Sequence, residues 1–244
     1  MTRPFADLHL RINPKDQQTA QRLIGKAARL GYRYISVPFT AGLEETEVAT
    51  LKTICTQAGL DFVLRADFKP RTQEDLMRFL RKFRRRFEII CIVCDSKEVS
   101  RQAAKDRRVD LLNFPNLDYH KRFFDRAEAE LASCSLAALE VDVKSLLVME
   151  GPPRVRLLSS LRREVAIALE FHVPVVVSSG VGEEQLLRKP RDLASLAYLF
   201  GLNEAQALDA VSNNPAGIVL RNREKLSSRF IAPGISVVKE GKPV

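Results

Sequence analysis

Charged and imidazole side chains recur at the ends of the predicted β-strands, where parallel strands of one sheet would bring them together. They come as three pairs with a two-residue spacing: Asp7 and His9, Arg65 and Asp67, and Glu140 and Asp142. Because side chains alternate between the two faces of a strand, the members of each pair share a face. Histidine and carboxylate groups gathered in this way are typical ligands of a divalent ion that activates water for phosphoester hydrolysis.

A second interpretation of these residues is a neutral polar network that closes the mouth of the fold, and we favour it. The chain has three histidines, His9, His120 and His172, and the last two fall within or at the end of predicted helices. A site with two or three metal ions would require several more nitrogen ligands. Since buried charges must be paired, opposite charges are expected to neutralise one another there. The expected members of the network are Asp7, His9, Arg65, Asp67 and Asp95.

The elements that must position these residues alternate between strand and helix. Strand-like apolar runs begin near Phe5, Tyr34, Asp61, Glu88, Val109, Leu136 and Pro174. The intervening patterns predict helices at about 15–30, 43–58, 72–85, 97–106, 120–133, 154–171, 190–200 and 203–212. Seven evenly spaced βα units favour a closed barrel over an open sheet. The sequence therefore predicts one α/β, TIM-barrel-like domain over residues 1–244, with an irregular basic tail from about residue 215.

The overall charge points to a polyanionic partner. Lys and Arg together number 39 against 30 Asp and Glu, which gives a net charge of +9, and 26 of the 39 are arginines. The planar guanidinium suits phosphate groups, so the bias favours nucleic acid. The apolar runs are too short to cross a membrane and the amino terminus lacks a signal-peptide core, so we expect a cytoplasmic protein with no membrane partner. Cys91 and Cys94 should point to opposite faces of a strand, which argues against a redox pair or a metal site.

Clusters of cations predict an RNA-binding surface. Four of them, Arg78, Arg81, Lys82 and Arg85, fall on one face of a predicted helix, where like charges weaken the helix unless an anion lies over them. A solvated helix face is the alternative interpretation of that run. The loop after the seventh strand adds two serines, because barrels often bind phosphate there. The predicted RNA-binding residues are Arg78, Arg81, Lys82, Arg85, Arg101, Lys105, Arg107, Arg156, Arg163, Ser178, Ser179, Lys189 and Arg191. With no Trp and four Tyr, contacts to phosphates and RNA shape are expected rather than base stacking.

Five segments of the chain resemble the barrel-shaped protein subunit family of archaeal and eukaryotic ribonuclease P, known in archaea as protein component 3. The segments are Phe5–His9, Arg108–Pro115, Leu157–Ala166, Pro174–Gly180 and Leu187–Ala197. The last of them is the most specific, and together they extend the resemblance over nearly the whole chain.

The resemblance implies a non-catalytic subunit that binds ribonuclease P RNA, with the RNA removing the 5′ leader from precursor tRNA. Precursor tRNA would then be an indirect partner. It further implies pairing with a small RNA-recognition-like subunit, component 2, in a heterotetramer. No cofactor would be bound by the protein, and Mg²⁺ would serve the RNA catalyst.

The predicted barrel is also similar to the metal-dependent phosphoesterases of the polymerase-and-histidinol-phosphatase type. Those proteins begin with an Asp-x-His-x-His motif. Here Asp7 and His9 remain, but Arg11 stands where the next histidine would be. A metal-dependent phosphoesterase or nuclease using Asp7, His9, Asp67 and Glu140 is therefore the competing hypothesis, and a module that binds only proteins is a third.

Overall fold

The structure, a computed structural model, describes residues 3–39, 44–118, 122–232 and 235–236. The strands are β1 (Ala6–Asp7), β2 (Tyr34–Phe39), β3 (Asp61–Phe68), β4 (Ile89–Val93), β5 (Leu111–Asn113), β6 (Ala138–Asp142), β7 (Val175–Ser178), β8 (Phe230–Ala232) and β9 (Ile235–Ser236). The helices are α1 (Gln17–Leu30), α2 (Glu45–Gln57), α3 (Gln73–Phe83), α4 (Lys97–Lys105), α5 (Arg126–Ser135), α6 (Lys144–Val148), α7 (Gly151–Glu170), α8 (Pro190–Ala197), α9 (Glu204–Ala210) and α10 (Asn213–Leu226).

Local sequence signals set most of these boundaries. Five helices begin after a side chain that accepts a hydrogen bond from a first-turn N–H: Asp16, Thr72, Ser96, Asp125 and Asn203. Two helical segments end at Gly31 and Gly201, whose φ values of +91° and +99° suit a residue without Cβ. The predicted strand starts and helix limits are close to the observed ones, with one larger difference at α5, which begins at Arg126 instead of near residue 120. Residues 119–121, with His120, lie outside the described residues.

The main sheet is parallel throughout, in the order β1-β2-β3-β4-β5-β6-β7. Its two edge strands meet at their carboxyl ends, where the Gly180 N–H donates to the His9 carbonyl (3.0 Å) and the Arg11 N–H donates to the Val181 carbonyl (2.8 Å). The predicted seven-stranded α/β barrel is confirmed. Since the loops after parallel strands of a barrel all lie at one end, this topology gathers the strand-end residues at a single mouth.

Two hydrophobic cores fill the barrel and its outer layer. The inner core lies in the lumen and includes Leu8, Val63, Cys91 and Val176. The outer core lies between the sheet and the helices and includes Cys94. The two cysteines therefore lie on opposite sides of the sheet, as their spacing predicted. No helix among the described residues is long and apolar enough to span a membrane.

The chain after residue 212 closes the other end of the barrel. Ile218 and Val219 of α10 belong to the inner core, and the Asn214 side chain donates to the Val175 carbonyl (2.8 Å) at the start of β7. The Asn222 amide donates to the Glu88 carbonyl (2.8 Å), just before β4. α10 thus plugs the amino-terminal end of the lumen.

The prediction of an irregular tail from about residue 215 is wrong as far as Leu226. Pro215 suggested a break, but it occupies the first turn of α10, where its missing N–H would have had no helical partner. β8 and β9 then pair antiparallel, and the rest of the basic tail lies outside the described residues.

The close approach of the two edge loops requires a residue without a side chain at position 182. A Cβ there would lie 2.6 Å from the Arg11 carbonyl oxygen, a backbone atom that cannot move aside. We expect Gly182→Ala to lower the free energy of unfolding by about 1–3 kcal/mol in urea denaturation. Gly217, inside α10, has no atom of the described residues within 4 Å of the position that a Cβ would take. Gly217→Ala should therefore stabilise the protein by about 1 kcal/mol. Equal effects of the two substitutions would contradict this account of the closure.

Candidate functional site

A fully buried arginine occupies the centre of the barrel mouth. Nη1 and Nη2 of Arg65, on β3, donate to Oε1 and Oε2 of Glu140 on β6, at 2.6 and 2.7 Å. Nε and Nη2 donate to the two carboxylate oxygens of Asp67, at 2.5 and 3.2 Å. The second Nη1 hydrogen reaches the Leu8 carbonyl at 2.8 Å. Every N–H of the planar guanidinium thus has an acceptor, which fixes its orientation.

Glu140 collects donors from four strands of the barrel. Besides Arg65, it accepts from the Ser178 hydroxyl (2.8 Å), the Asn113 amide (2.9 Å) and the Cys91 thiol (3.5 Å). Burial acts to raise the pKa of Glu140, but the attraction of the Arg65 guanidinium outweighs it, and the pKa lies well below its usual range. Glu140 is therefore an anion that is permanently paired.

His9 links the remaining carboxylates of the mouth. Its Nδ1 lies 2.8 Å from Asp142 Oδ1, and its Nε2 lies 3.6 Å from Asp67 Oδ2. Burial acts to lower the pKa of His9, but the Asp142 carboxylate more than compensates, so the pKa is raised. A second guanidinium, that of Arg11, lies 3.9 Å from Asp142. Two guanidinium groups and the His9 imidazole thus face the carboxylates of Asp67, Glu140 and Asp142, which supports the predicted polar network.

Asp7 joins the network as an acceptor of backbone hydrogen bonds. Its Oδ1 accepts from the N–H groups of Ser179 (3.0 Å) and His9 (3.2 Å), whereas Oδ2 has no partner within the described ranges. Burial is the largest influence on the pKa of Asp7 and raises it. Asp95 was wrongly assigned to the network, because it lies on the exposed rim and pairs with Lys69 (2.8 Å).

The two serines at the end of β7, Ser178 and Ser179, are not accessible to a ligand. Ser178 and Ser179 are both fully buried. The Ser178 hydroxyl is bound to Glu140, and the Ser179 hydroxyl accepts from the Val181 N–H (3.4 Å) and faces the His9 carbonyl. The prediction that these two residues contact phosphate is therefore wrong, because their hydroxyl groups form hydrogen bonds inside the mouth.

The basic run on α3 is exposed, with one change from the expected helix face. Arg78, Arg81 and Lys82 lie on the solvent side of α3, and Arg78 makes one exposed ion pair, with Glu74 (3.3 Å). Arg85 was wrongly placed on the same helical face, because α3 ends at Phe83. It lies instead in the turn that follows, still exposed.

The other predicted cations form two further exposed groups. On and after α4, Lys105 and Arg107 are exposed, whereas Arg101 is partly buried and pairs with Asp125 (3.2 Å). The second group lies on α7 and at the start of α8, and all of its members are exposed: Arg156, Arg163, Lys189 and Arg191.

Comparison with known proteins shows the family and the fold. The family model described as "RNase P subunit p30" matches residues 4–227. The chain belongs to the RNase P subunit p30 family. It is 29% identical over 248 aligned positions to "Ribonuclease P protein component 3" of Methanosarcina barkeri, covering 97% of each chain. A chain in a cryo-EM structure of archaeal ribonuclease P with mature tRNA has the same fold, with a TM-score of 0.82 and 22% identity, covering 98% of this chain and 100% of that one.

The barrel of this RNase P subunit p30 family member also resembles that of hydrolases. An organophosphorus hydrolase from Deinococcus radiodurans matches with a TM-score of 0.55 and 12% identity, covering 88% of this chain and 92% of that one. This likeness concerns the fold alone.

The donor set of the mouth does not fit a divalent ion. Ligand atoms of His9, Glu140 and Asp142 lie within 4.8 Å of one another. However, both oxygens of Glu140 already accept from the Arg65 guanidinium. A dication about 4 Å from that guanidinium would be repelled by about 8 kcal/mol at an effective dielectric constant of about 20. That repulsion would cancel the binding free energy of a micromolar site, which is about 8 kcal/mol. The competing hypothesis of metal-dependent hydrolysis is therefore not favoured.

A buried ion pair and a buried carboxyl group are among the features that the sequence analysis did not identify. Arg122, in the loop before α5, donates to both oxygens of Glu164 on α7, at 2.7 and 2.5 Å. Glu164 lies on the same face of α7 as Leu157, Leu161 and Val165, so a carboxylate inside an apolar stripe was the available signal. The second is Glu128 of α5, which is fully buried against α4 and has no hydrogen-bond partner for its carboxylate within the described part of the chain.

Glu128 makes the stability of the family member depend on pH. Burial, and secondarily Asp125, raise the pKa of Glu128 to about 8, although Arg101 and Lys97 act to lower it. The pKa of Glu128 is higher in the folded state than in the unfolded state, so the neutral acid contributes to the free energy of unfolding. This contribution is complete below the unfolded-state pKa and is lost as the pH rises towards about 8. We expect Glu128→Gln to leave the free energy of unfolding unchanged near about pH 5 and to raise it by on the order of 3 kcal/mol near about pH 9.

Glu130→Gln is the matched control for this pH dependence, because Glu130 is exposed on the same helix. Urea denaturation of the three proteins across this pH range measures the effect. A pH profile of Glu128→Gln parallel to that of the unsubstituted protein would show that Glu128 is ionised in the folded state.

Proposed function

We propose that this chain is the barrel-shaped protein subunit of a ribonuclease P, in which it binds the catalytic RNA and supports removal of the 5′ leader from precursor tRNA. The match of the RNase P subunit p30 model to residues 4–227 is the observation that carries the proposal. Cleavage is assigned to the RNA, because the carboxylates and the histidine of the mouth are bound to one another and to Arg65.

Exposed cations support the RNA-binding part of the proposal. The cations of α3, of α4 and of the α7–α8 region are spread over several βα units, which suits the backbone of a large folded RNA better than one small ligand. Each phosphate that a cation neutralises releases counterions, so binding should weaken steeply as salt is added. The RNA contacts proposed are those of the exposed cations: Arg78, Arg81, Lys82, Arg85, Lys105, Arg107, Arg156, Arg163, Lys189 and Arg191.

The remaining parts of the holoenzyme follow from the resemblance found in the sequence. The chain would pair with the RNA-recognition-like component 2 subunit in a heterotetramer, contact precursor tRNA indirectly and act in the cytoplasm. Mg²⁺ would be bound by the RNA, and no cofactor would be bound by this protein.

Reconstitution with each component omitted in turn tests this function. The full chain, the component 2 subunit, the cognate RNA and Mg²⁺ are assayed for release of the 5′ leader from precursor tRNA. Omitting the RNA should abolish cleavage, and omitting the chain should lower it. Cleavage by the protein without RNA would overturn the proposal, as would unchanged activity without the chain.

A further inference from the structure

We infer that Arg65 acts as an internal counter-ion that keeps divalent cations out of the barrel mouth, and that the mouth becomes a divalent-cation site when this guanidinium is removed. The inference concerns the ion selectivity of a cluster whose side chains otherwise resemble a set of metal ligands. Only its biological meaning rests on the proposed function.

The position of Arg65 is the first support. Its side chain has no exposed surface, and its N–H groups are divided between Glu140, Asp67 and the Leu8 carbonyl at 2.5–3.2 Å. The guanidinium therefore lies among the carboxylates, where a metal ion would otherwise supply the positive charge. A planar cation held by this many acceptors cannot rotate away to admit a second cation.

The groups that would remain without Arg65 are the second support. His9 Nδ1 lies 2.8 Å from Asp142 Oδ1 and 4.0 Å from Glu140 Oε2, separations that a single ion can bridge. Asp7 Oδ2, outside that ligand set, is a further fully buried oxygen of the mouth with no partner within the described residues. A site of one imidazole and several carboxylates suits Zn²⁺, Co²⁺ or Mn²⁺.

An ion could reach these groups from solvent. Asp67 and Asp142 retain 15% and 16% of their side-chain exposure. Both line open clefts at the mouth, one of about 450 Å³ beside His9 and Lys69 and one of about 260 Å³ beside Lys144. Access is thus available, and the charge of Arg65, not the shape of the mouth, excludes the ion.

Such exclusion has a consequence for a subunit that sits against an RNA. A protein with an open carboxylate cluster would compete with the RNA for the divalent ions that its phosphates bind. The guanidinium of Arg65 neutralises the carboxylates of the mouth as a bound metal ion would, but it does so at any ion concentration.

The test uses the full-length protein without any RNA, so its result does not depend on the ribonuclease P assignment. Arg65→Ala removes the cation, and Arg65→Gln removes it while retaining most of the side-chain volume. Arg65→Lys is the matched control, because it disturbs the same hydrogen bonds but keeps the positive charge. Zn²⁺ and Mn²⁺ binding is measured by equilibrium dialysis, and ion-dependent stabilisation by thermal unfolding.

We expect the Ala and Gln variants to bind one equivalent at least ~100-fold more tightly than the unsubstituted protein, and the ion to raise their Tm. The unsubstituted protein and Arg65→Lys should show neither effect. Adding His9→Ala to Arg65→Ala should abolish the binding.

Either of two outcomes overturns the inference. One is that the Ala and Gln variants gain no affinity or stability from the ions, including during refolding if they do not fold without an ion. The other is that the unsubstituted protein itself binds an equivalent of Zn²⁺ or Mn²⁺ that is lost in His9→Ala.

Discussion

Arg65→Met is expected to lower the free energy of unfolding by about 3–5 kcal/mol, because it leaves buried carboxylates without their partner. Arg65 has no exposed surface, and its ion pairs with Glu140 and Asp67 lie within hydrogen-bond distance. Glu140 is also fully buried, so its charge cannot be transferred to water. Because a domain is stable by only about 5–15 kcal/mol, the loss is a large part of the total. Urea denaturation with a linear extrapolation measures it.

The matched control for this prediction is Arg78→Met on α3. Arg78 is exposed and its pair with Glu74 spans 3.3 Å, so a change below about 0.5 kcal/mol is expected. A second comparison combines Arg65→Met with Glu140→Gln. If the two groups stabilise each other, the double variant should lose less than the sum of the single losses. Additive losses, or a loss of less than about 1 kcal/mol for Arg65→Met, would contradict the network.

The mouth could be foreseen from the sequence because the alternation of side chains along a strand leaves little freedom. Residues two apart on a strand that contributes to the lumen must share its lumenal face, and the barrel brings the strand ends together. Arg65 and Asp67 obey this rule within β3. His9 obeys it two positions after β1, because the His9 carbonyl and the Leu10 N–H still pair with the neighbouring segments at Gly180 and Ser36. Asp95 does not, because it follows the last residue of β4, Val93, by two positions and the chain has already left the ladder. Once the chain has left a strand, the alternation no longer determines the side to which a side chain points.

The wrong predictions at Ser179 and Arg85 have the same physical cause, which is contact between parts of the chain that are distant in sequence. Local patterns predicted a phosphate loop at Ser179, but its N–H donates to Asp7, 172 positions earlier. Local patterns also predicted that α3 extends as far as Arg85. In the structure, Arg84 reaches Asp110 (2.8 Å), before β5, and the helix stops at Phe83. No propensity or motif near these residues encodes such partners.

The plug at the amino-terminal end illustrates the same limit. The end of the preceding helix was predicted correctly near residue 212, since α9 ends at Ala210 and α10 begins at Asn213. Whether the following chain is irregular or starts a new helix depends on the open lumen that Ile218 and Val219 fill. The fold class was predictable because seven units repeat the same pattern, whereas the closing element occurs once and has no repeat to reveal it.

Neutralising the exposed cations of α3 and its following turn is expected to weaken RNA binding by about 10²–10⁴-fold at about 0.1 M salt. The variant replaces Arg78, Arg81, Lys82 and Arg85 with Gln, and all four are exposed. Each lost phosphate contact lowers the slope of log affinity against log salt by about 0.7–0.9, which is about ten-fold in affinity at this salt. Two to four contacts give the stated range. Binding of the cognate RNA as a function of salt measures both quantities.

A control with the same loss of charge separates a binding surface from the field of the whole protein. Lys15, Lys52, Lys225 and Arg229 are also exposed, and none of them belongs to the predicted set. Replacing these four with Gln should lower affinity less than ten-fold and leave the slope nearly unchanged. If the two quadruple variants weaken binding equally, the α3 surface has no special role. The slope of log affinity against log salt counts the phosphates in contact with the protein, not all the cations on its surface. If neutralising the four cations of α7 and the start of α8 has a much larger effect than either quadruple variant, the RNA binds that side of the barrel.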